Sequence, residues 1–346
     1  MRALRYDGKK PYLEEVPAPA AGPGQVVLEV TGAGLCRSDL VLMGRPPEEL
    51  PLPFTLGREA VGVVVDVGAG VRDVAEGDAV AVYGPQGCGT CRHCRAGAEN
   101  HCPHAWEEGV RQPGAGADGA LADYLLVDHP RRLVPLGGLD PVRAAPLTGA
   151  GLAAYHAVRS ALSVLPPDST VLVVGIGGLG HLAVQILRTL SAARIVAVDL
   201  AADKLDLALR SGADVALLGD DTVPEQVREL TGGVGADAVL DFVATDATLG
   251  AAARSLRPGG EIGVVGDGGG RLPAAGGPLP PGATVRSPHR GTRADLDDVL
   301  ALARTGRITA EVEEYPLEEA ALAYERLERG EVRGRAVVDP ACVLRE

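Results

Sequence analysis

The sequence predicts an α/β protein in two parts: a β-rich first part that closes into a small barrel, then a parallel sheet wound with helices on both faces. Up to about residue 135, β-branched runs alternate with Gly/Pro turns. From Val171 onward, short apolar strands alternate with helical patterns, as βαβ units require. A glycine-rich turn joins the first of those strands to its helix. A chain of 346 residues is long enough for one large or two ordinary domains.

In chain order, Val26–Thr31 and Ala60–Val67 read as strands closed by glycines, and residues 73–82 turn through Gly77-Asp78 into another strand. Between Gly87 and about Gly119 lie a cysteine-rich loop and a glycine-rich stretch with little periodicity, before a returning strand at Leu121–Val127. One helix is expected from Pro141 to about Leu162, with the proline suited to a first turn. Strands follow near 171–175, 194–199, 214–218, 237–243 and 261–266, and helices near 179–190, 202–210, 223–231 and 246–256. A Gly/Pro-rich loop covers 266–282, helices are expected near 293–306 and 317–329, and a last strand lies at 334–338.

The turn reads Gly175-Ile-Gly177-Gly178-Leu179-Gly180. In this pattern the first glycine permits the tight turn, the second lets backbone approach a pyrophosphate, and the third lets the helix pack on the strand. The helix N-terminus then offers free N–H groups to phosphate. A lone Gly-x-Gly-x-x-Gly is weak, but here a second strand follows and ends in Asp199, about twenty residues on, where a carboxylate would bind ribose hydroxyls. No arginine follows Asp199 directly, so NAD(H) is favoured over NADP(H), whose 2′-phosphate would meet the carboxylate charge; Lys204 is placed to reach the ribose.

Cys88, Cys91, Cys94 and Cys102 form a C-x2-C-x2-C-x7-C set. Four thiolates so close together suit one tetrahedral zinc, and a full sulfur set leaves no open position, which marks a structural ion. An iron–sulfur cluster competes weakly because the x7 spacing differs from the ferredoxin run; free thiols are the remaining alternative.

Composition narrows the partners. A net charge of −13 argues against nucleic acid. No run of eighteen apolar residues suggests a membrane span, and the first residues lack a secretory pattern, so the expected location is the cytoplasm and the expected partner a small molecule.

These features together resemble the zinc-containing alcohol dehydrogenase branch of the medium-chain dehydrogenase/reductase superfamily, nearest to bacterial NAD-dependent secondary-alcohol dehydrogenases. The resemblance runs the whole chain. It is carried by Gly34-Leu-Cys36-Arg37-Ser38-Asp39, Leu56-Gly-Arg58-Glu59, the four-cysteine knuckle, Ala144–Gly151, the Gly175 turn and Gly334-Arg335. It implies a GroES-like catalytic domain from 1–149 and 286–346, a Rossmann domain from 150–285, an active site in an interdomain cleft, and a homodimer or homotetramer. It further implies that Arg37 and Arg335 contact the cofactor pyrophosphate and that Ser38 relays a proton. The loop carrying His289 and Arg290 is expected to border the cleft.

One departure stands out. The family's catalytic zinc is held by a Cys, a His and a Cys or Asp; here those positions are Cys36, Arg58 and Gly149. Arginine cannot ligate and glycine has no side chain. Even with Glu59 as a weak ligand, Cys36 falls short of a three-ligand site, so a catalytic zinc is not expected. Arg58 is open to three readings: stabiliser of an oxyanion or enolate, clamp for a substrate carboxylate, or structural partner of Asp39 or Glu59. The leading expectation is NADH-dependent reduction of an activated C=C or C=N bond. An alcohol dehydrogenase with residual activity and a non-catalytic NAD(H)-binding protein are the alternatives.

Overall fold

The computed structural model describes residues 1–105, 107, 112–273 and 277–342, in two compact units: Met1–Leu152 with Thr292–Glu346, and Ala153–Gly291. The first unit is built on a sheet that runs, in spatial order, Leu133–Pro135, Ala79–Val82, Glu59–Val67, Val26–Gly34, Arg335–Asp339 and Val312–Pro316; Tyr124–Val127 also pairs with Val26–Gly34. Val26–Gly34 is buried along most of its length, since both neighbours and the returning strand cover it. Its last residues matter most for function. Gly34 lies opposite Glu59 on one side and Val337 on the other, so the sheet register itself draws Glu59 and the Arg335 strand to one place. A core of Leu4, Leu28, Leu35, Leu56, Leu121, Leu125 and their neighbours fixes that register.

In the second unit six strands lie parallel in the order Val215–Leu218, Arg194–Asp199, Thr170–Val174, Ala236–Asp241, Leu256–Val264 and Thr284–Arg286. Every residue of Thr170–Val174 is buried, which is why it reads as an unbroken apolar run rather than an alternating one. The strand order reverses between Thr170–Val174 and Ala236–Asp241, a switch point that opens a crevice at the carboxyl ends of the strands. The glycine turn leaves Thr170–Val174 at that end and enters the helix Gly180–Leu190.

The helix expected from 141 to 162 is broken. Pro141–Ala144 is one helical turn, Ala145–Thr148 a 3-10 turn, and Ala150–Ala161 the helix proper. Pro146 has no N–H to continue the ladder, and Gly149 leaves the helical region at φ −128°, ψ −68°. Strands Arg2–Tyr6, Pro11–Glu15, Val312–Pro316 and Thr284–Arg286 were not foreseen; they are at most five residues long, and two of them are largely exposed, so their period-2 signal is faint. Among the described residues no helix is long and apolar enough to cross a membrane.

Candidate active site

Cys36 closes the turn after Val26–Gly34 and starts the helix Arg37–Met43, which carries Ser38 and the fully buried Asp39. Asp39 gathers three donors. Its Oδ1 accepts from Arg58 Nε at 2.7 Å, and its Oδ2 accepts from Tyr324 OH at 2.9 Å and from the Cys36 N–H at 3.0 Å. Arg58 is thus placed by Asp39, one of the partners that a structural role would give it. The pairing uses only one of its nitrogens. Arg58 Nη2 is buried and has no hydrogen-bond partner among the described residues. Burial works against the Arg58 charge, but Asp39 and then Cys36 outweigh it, and its pKa rises. Burial, then Asp39, holds the Tyr324 phenol well above its ordinary value, so it remains a donor.

Beside this pair stands a second one. Arg335 Nε donates to Glu59 Oε2 at 3.1 Å and Arg335 Nη2 to Oε1, while the Ala150 N–H reaches Oε1 at 2.8 Å. Both side chains are under 5% exposed. Burial opposes the charge on Arg335, yet Glu59 and Cys36 raise it further above its ordinary range. Burial also pushes the Glu59 carboxyl up, against the pull of Arg335. Arg335, expected at the cofactor pyrophosphate, is placed in this buried pair. Cys36 therefore feels two guanidinium groups, and Ser38 Oγ donates to its sulfur at 2.8 Å. The Ser38 hydroxyl, expected to relay a proton, is directed at sulfur here.

These residues do not fit a catalytic zinc. Among the described residues the cluster of ligand atoms suited to a metal is the knuckle, not Cys36, Asp39 and Glu59. Cys36 faces two cations, and Glu59 is committed to Arg335.

The knuckle does fit a metal. The sulfurs of Cys88, Cys91, Cys94 and Cys102 lie within 4.8 Å of one another. Four sulfurs each about 2.3 Å from one tetrahedral ion stand roughly 3.8 Å apart, and Cys91 Sγ is 3.5 Å from Cys94 Sγ and 3.9 Å from Cys102 Sγ. Backbone N–H groups of Cys88, Cys91 and Cys94 point at sulfurs of the same set. Hydrogen bonds from Thr90 draw the Cys88 thiol down to about 6, while burial pushes Cys94 up to about 12. A dication would favour all four as thiolates.

In the second unit Gly175 adopts φ +88°, and a Cβ on Gly180 would collide with the Gly175 carbonyl, so both ends of the turn demand glycine. Gly177 has open space where a Cβ would stand, as a ligand-facing position should. Gly178 and Leu179 are half-buried in the same turn. Asp199 ends its strand beside it, with Oδ2 accepting from the Ile176 N–H at 2.7 Å and Oδ1 from the Ala201 N–H at 3.1 Å. His181, buried, places Nδ1 2.8 Å from the Gly177 carbonyl. Lys204 is half-buried in the helix Ala202–Arg210; in the first unit Arg37 is exposed on its helix. His289 is exposed, and Arg290 takes φ +55°.

Tyr324 is the participant that sequence reasoning missed. It sits 285 positions from Asp39, and no local pattern links the two.

A sulfur knuckle, a sheet that brings Cys36, Arg58 and Glu59 together and a glycine turn at a parallel-sheet switch point define a two-unit oxidoreductase. Residues 22–138 match the family described as the alcohol dehydrogenase GroES-like domain, and residues 178–305 match the zinc-binding dehydrogenase family. The NAD-dependent alcohol dehydrogenase of Sulfurisphaera tokodaii is 36% identical over 358 residues, covering 98% of this chain and 100% of the relative. An alcohol dehydrogenase of Geobacillus stearothermophilus is 34% identical, covering 94% of each chain. The crystal structure of the alcohol dehydrogenase from Aeropyrum pernix superposes with a TM-score of 0.89 at 35% identity, covering 98% of this chain and 100% of that one. The chain belongs to the zinc-type alcohol dehydrogenase family of medium-chain dehydrogenases/reductases and is an enzyme of that family.

Proposed function

We propose that this enzyme uses NADH to reduce an activated C=C or C=N bond without a catalytic metal. The observation that carries the reading is the surroundings of Cys36: of the two further positions where the family resemblance calls for zinc ligands, one is Arg58, paired with Asp39, and the other is Gly149, whose side-chain space Glu59 fills. NADH, when bound, supplies the hydride. Its holders would be the Gly175–Gly180 turn for the pyrophosphate and Asp199 with Lys204 for the ribose, with Arg37 a further phosphate contact. A conjugated carbonyl that takes hydride at its β carbon gathers negative charge on oxygen. The free Nη2 edge of Arg58, aimed by Asp39 and Tyr324, is a fixed donor for that charge. Ser38 can turn from the Cys36 sulfur and give its proton to the α carbon, and water returns a proton to its oxygen. An iminium needs still less help, because it carries its own charge. The four-cysteine knuckle would hold one structural zinc per chain. A homo-oligomer in the cytoplasm is part of the same reading.

The second reading is a secondary-alcohol dehydrogenase, favoured by the names of the relatives. The two separate in one assay. NADH consumption is followed with 2-cyclohexen-1-one and with a cyclic imine, and NAD+ reduction with 2-butanol, each with and without a chelator. Turnover of the enone or imine that ignores the chelator is expected. Alcohol oxidation lost on chelation, with the knuckle zinc retained, would overturn the proposal. NADH binding without turnover on either panel would also overturn it and leave a binding protein.

A further inference from the structure

The two departures at Arg58 and Gly149 are joined by a third residue that is itself unaltered. Glu59 lies in a slot with a glycine on each side. A Cβ on Gly149 would stand 2.6 Å from Glu59 Cγ and collide with Oε1, and a Cβ on Gly34 would collide with Oε2. Any side chain at 149 would therefore force the Glu59 side chain to shift from its seat. Three donors keep it there: Arg335 Nε, Arg335 Nη2 and the Ala150 N–H. Both partners of the ion pair are buried, so leaving costs Glu59 an unpaired charge in dry surroundings, and leaves another on Arg335.

We infer that Glu59, seated over Gly149 by Arg335, is a gate against divalent metal at Cys36. While it stays seated, Cys36 and residue 58 cannot gather a third ligand, even if residue 58 were able to ligate. Unseating it turns the place into a site for zinc or another borderline dication, once residue 58 is a histidine. This rests on the metal-free reading of the site given above, but it goes further. It assigns the exclusion of metal to the Glu59–Arg335 pair as well as to Arg58, and gives Gly149 a role as the space that Glu59 fills.

The test counts zinc, so it needs no substrate. The intact chain and the variants Arg58→His, Arg58→His/Gly149→Ala and Arg58→His/Arg335→Met are purified with zinc in modest excess and weighed by native mass spectrometry. Cobalt in place of zinc adds a thiolate-to-cobalt absorption band as a second signature. Alanine has no ligand atom, so any metal gained on adding Gly149→Ala comes from the displaced Glu59. The expected counts are about one zinc per chain for the parent and for Arg58→His, and about two for each double variant. Circular dichroism and the knuckle zinc report folding, and if only one double variant folds, its count decides. A second zinc in Arg58→His alone would overturn the gate, because Arg58 would then be the whole barrier. A folded double variant that stays at one zinc would overturn it as well. Two zincs in the parent chain would instead overturn the metal-free reading on which the gate rests.

Discussion

Two places in the first unit are organised around cysteine sulfur, and they manage charge in opposite ways. At the knuckle, four sulfurs crowd within 4.8 Å of one another, an arrangement that calls for a cation from outside the chain. At Cys36 one sulfur is met by two guanidinium groups that the chain supplies itself, each paired with a buried carboxylate. A zinc ion can be stripped or exchanged. An arginine stays charged at any pH a protein meets, and each of these two is held by its own carboxylate partner. The contrast is between a sulfur set that a cation from outside the chain would complete and a single sulfur beside cations of the chain's own.

The sharpest way to break the contrast is to damage the knuckle. Cys94→Ser should lose the zinc and, because structural zinc contributes folding free energy outright, destabilise the chain by at least about 3 kcal/mol, a fall in Tm of roughly 6–12 °C. Calorimetry beside a zinc count measures it; an unchanged Tm with no zinc bound would mean that the knuckle does not depend on metal. Arg58→Ala comes next. It removes the donor proposed for the developing oxygen charge, so kcat/KM for an enone should fall about 10²–10³-fold while the knuckle zinc is kept. Unaltered kcat/KM would reduce Arg58 to a structural partner of Asp39. The smallest effect is expected of Tyr324→Phe, which deletes one of the three hydrogen bonds to Asp39 seen here. A loss of about 1 kcal/mol in urea unfolding is expected, with zinc content unmoved. A loss several times larger would make Tyr324, rather than Arg58, the main support of the buried carboxylate.

How far the sequence could be read depended on whether a feature has a local signature. The parallel sheet was legible because strands such as Arg194–Asp199 are buried on both faces and closed by short turns. The knuckle was legible because its four ligands fall within one short run. At Cys36 the sequence exposed the departures at 58 and 149, but not which residues meet there. Glu59 and Arg335 are 276 positions apart, as Asp39 and Tyr324 are 285, and pairing of single polar residues across such spans leaves no periodicity. The break at Pro146 and Gly149 was written in the chain, yet the apolar pattern around it continued and hid it.

The glycine turn carries one more consequence. Asp199 accepts from the Ile176 N–H, and His181 Nδ1 meets the Gly177 carbonyl, so the turn is braced by contacts within the chain itself. Bracing of this kind lets ordering entropy be spent as the chain folds rather than at the encounter with a ligand. A ligand meeting a turn so braced should associate at a rate limited by diffusion and orientation rather than by loop rearrangement.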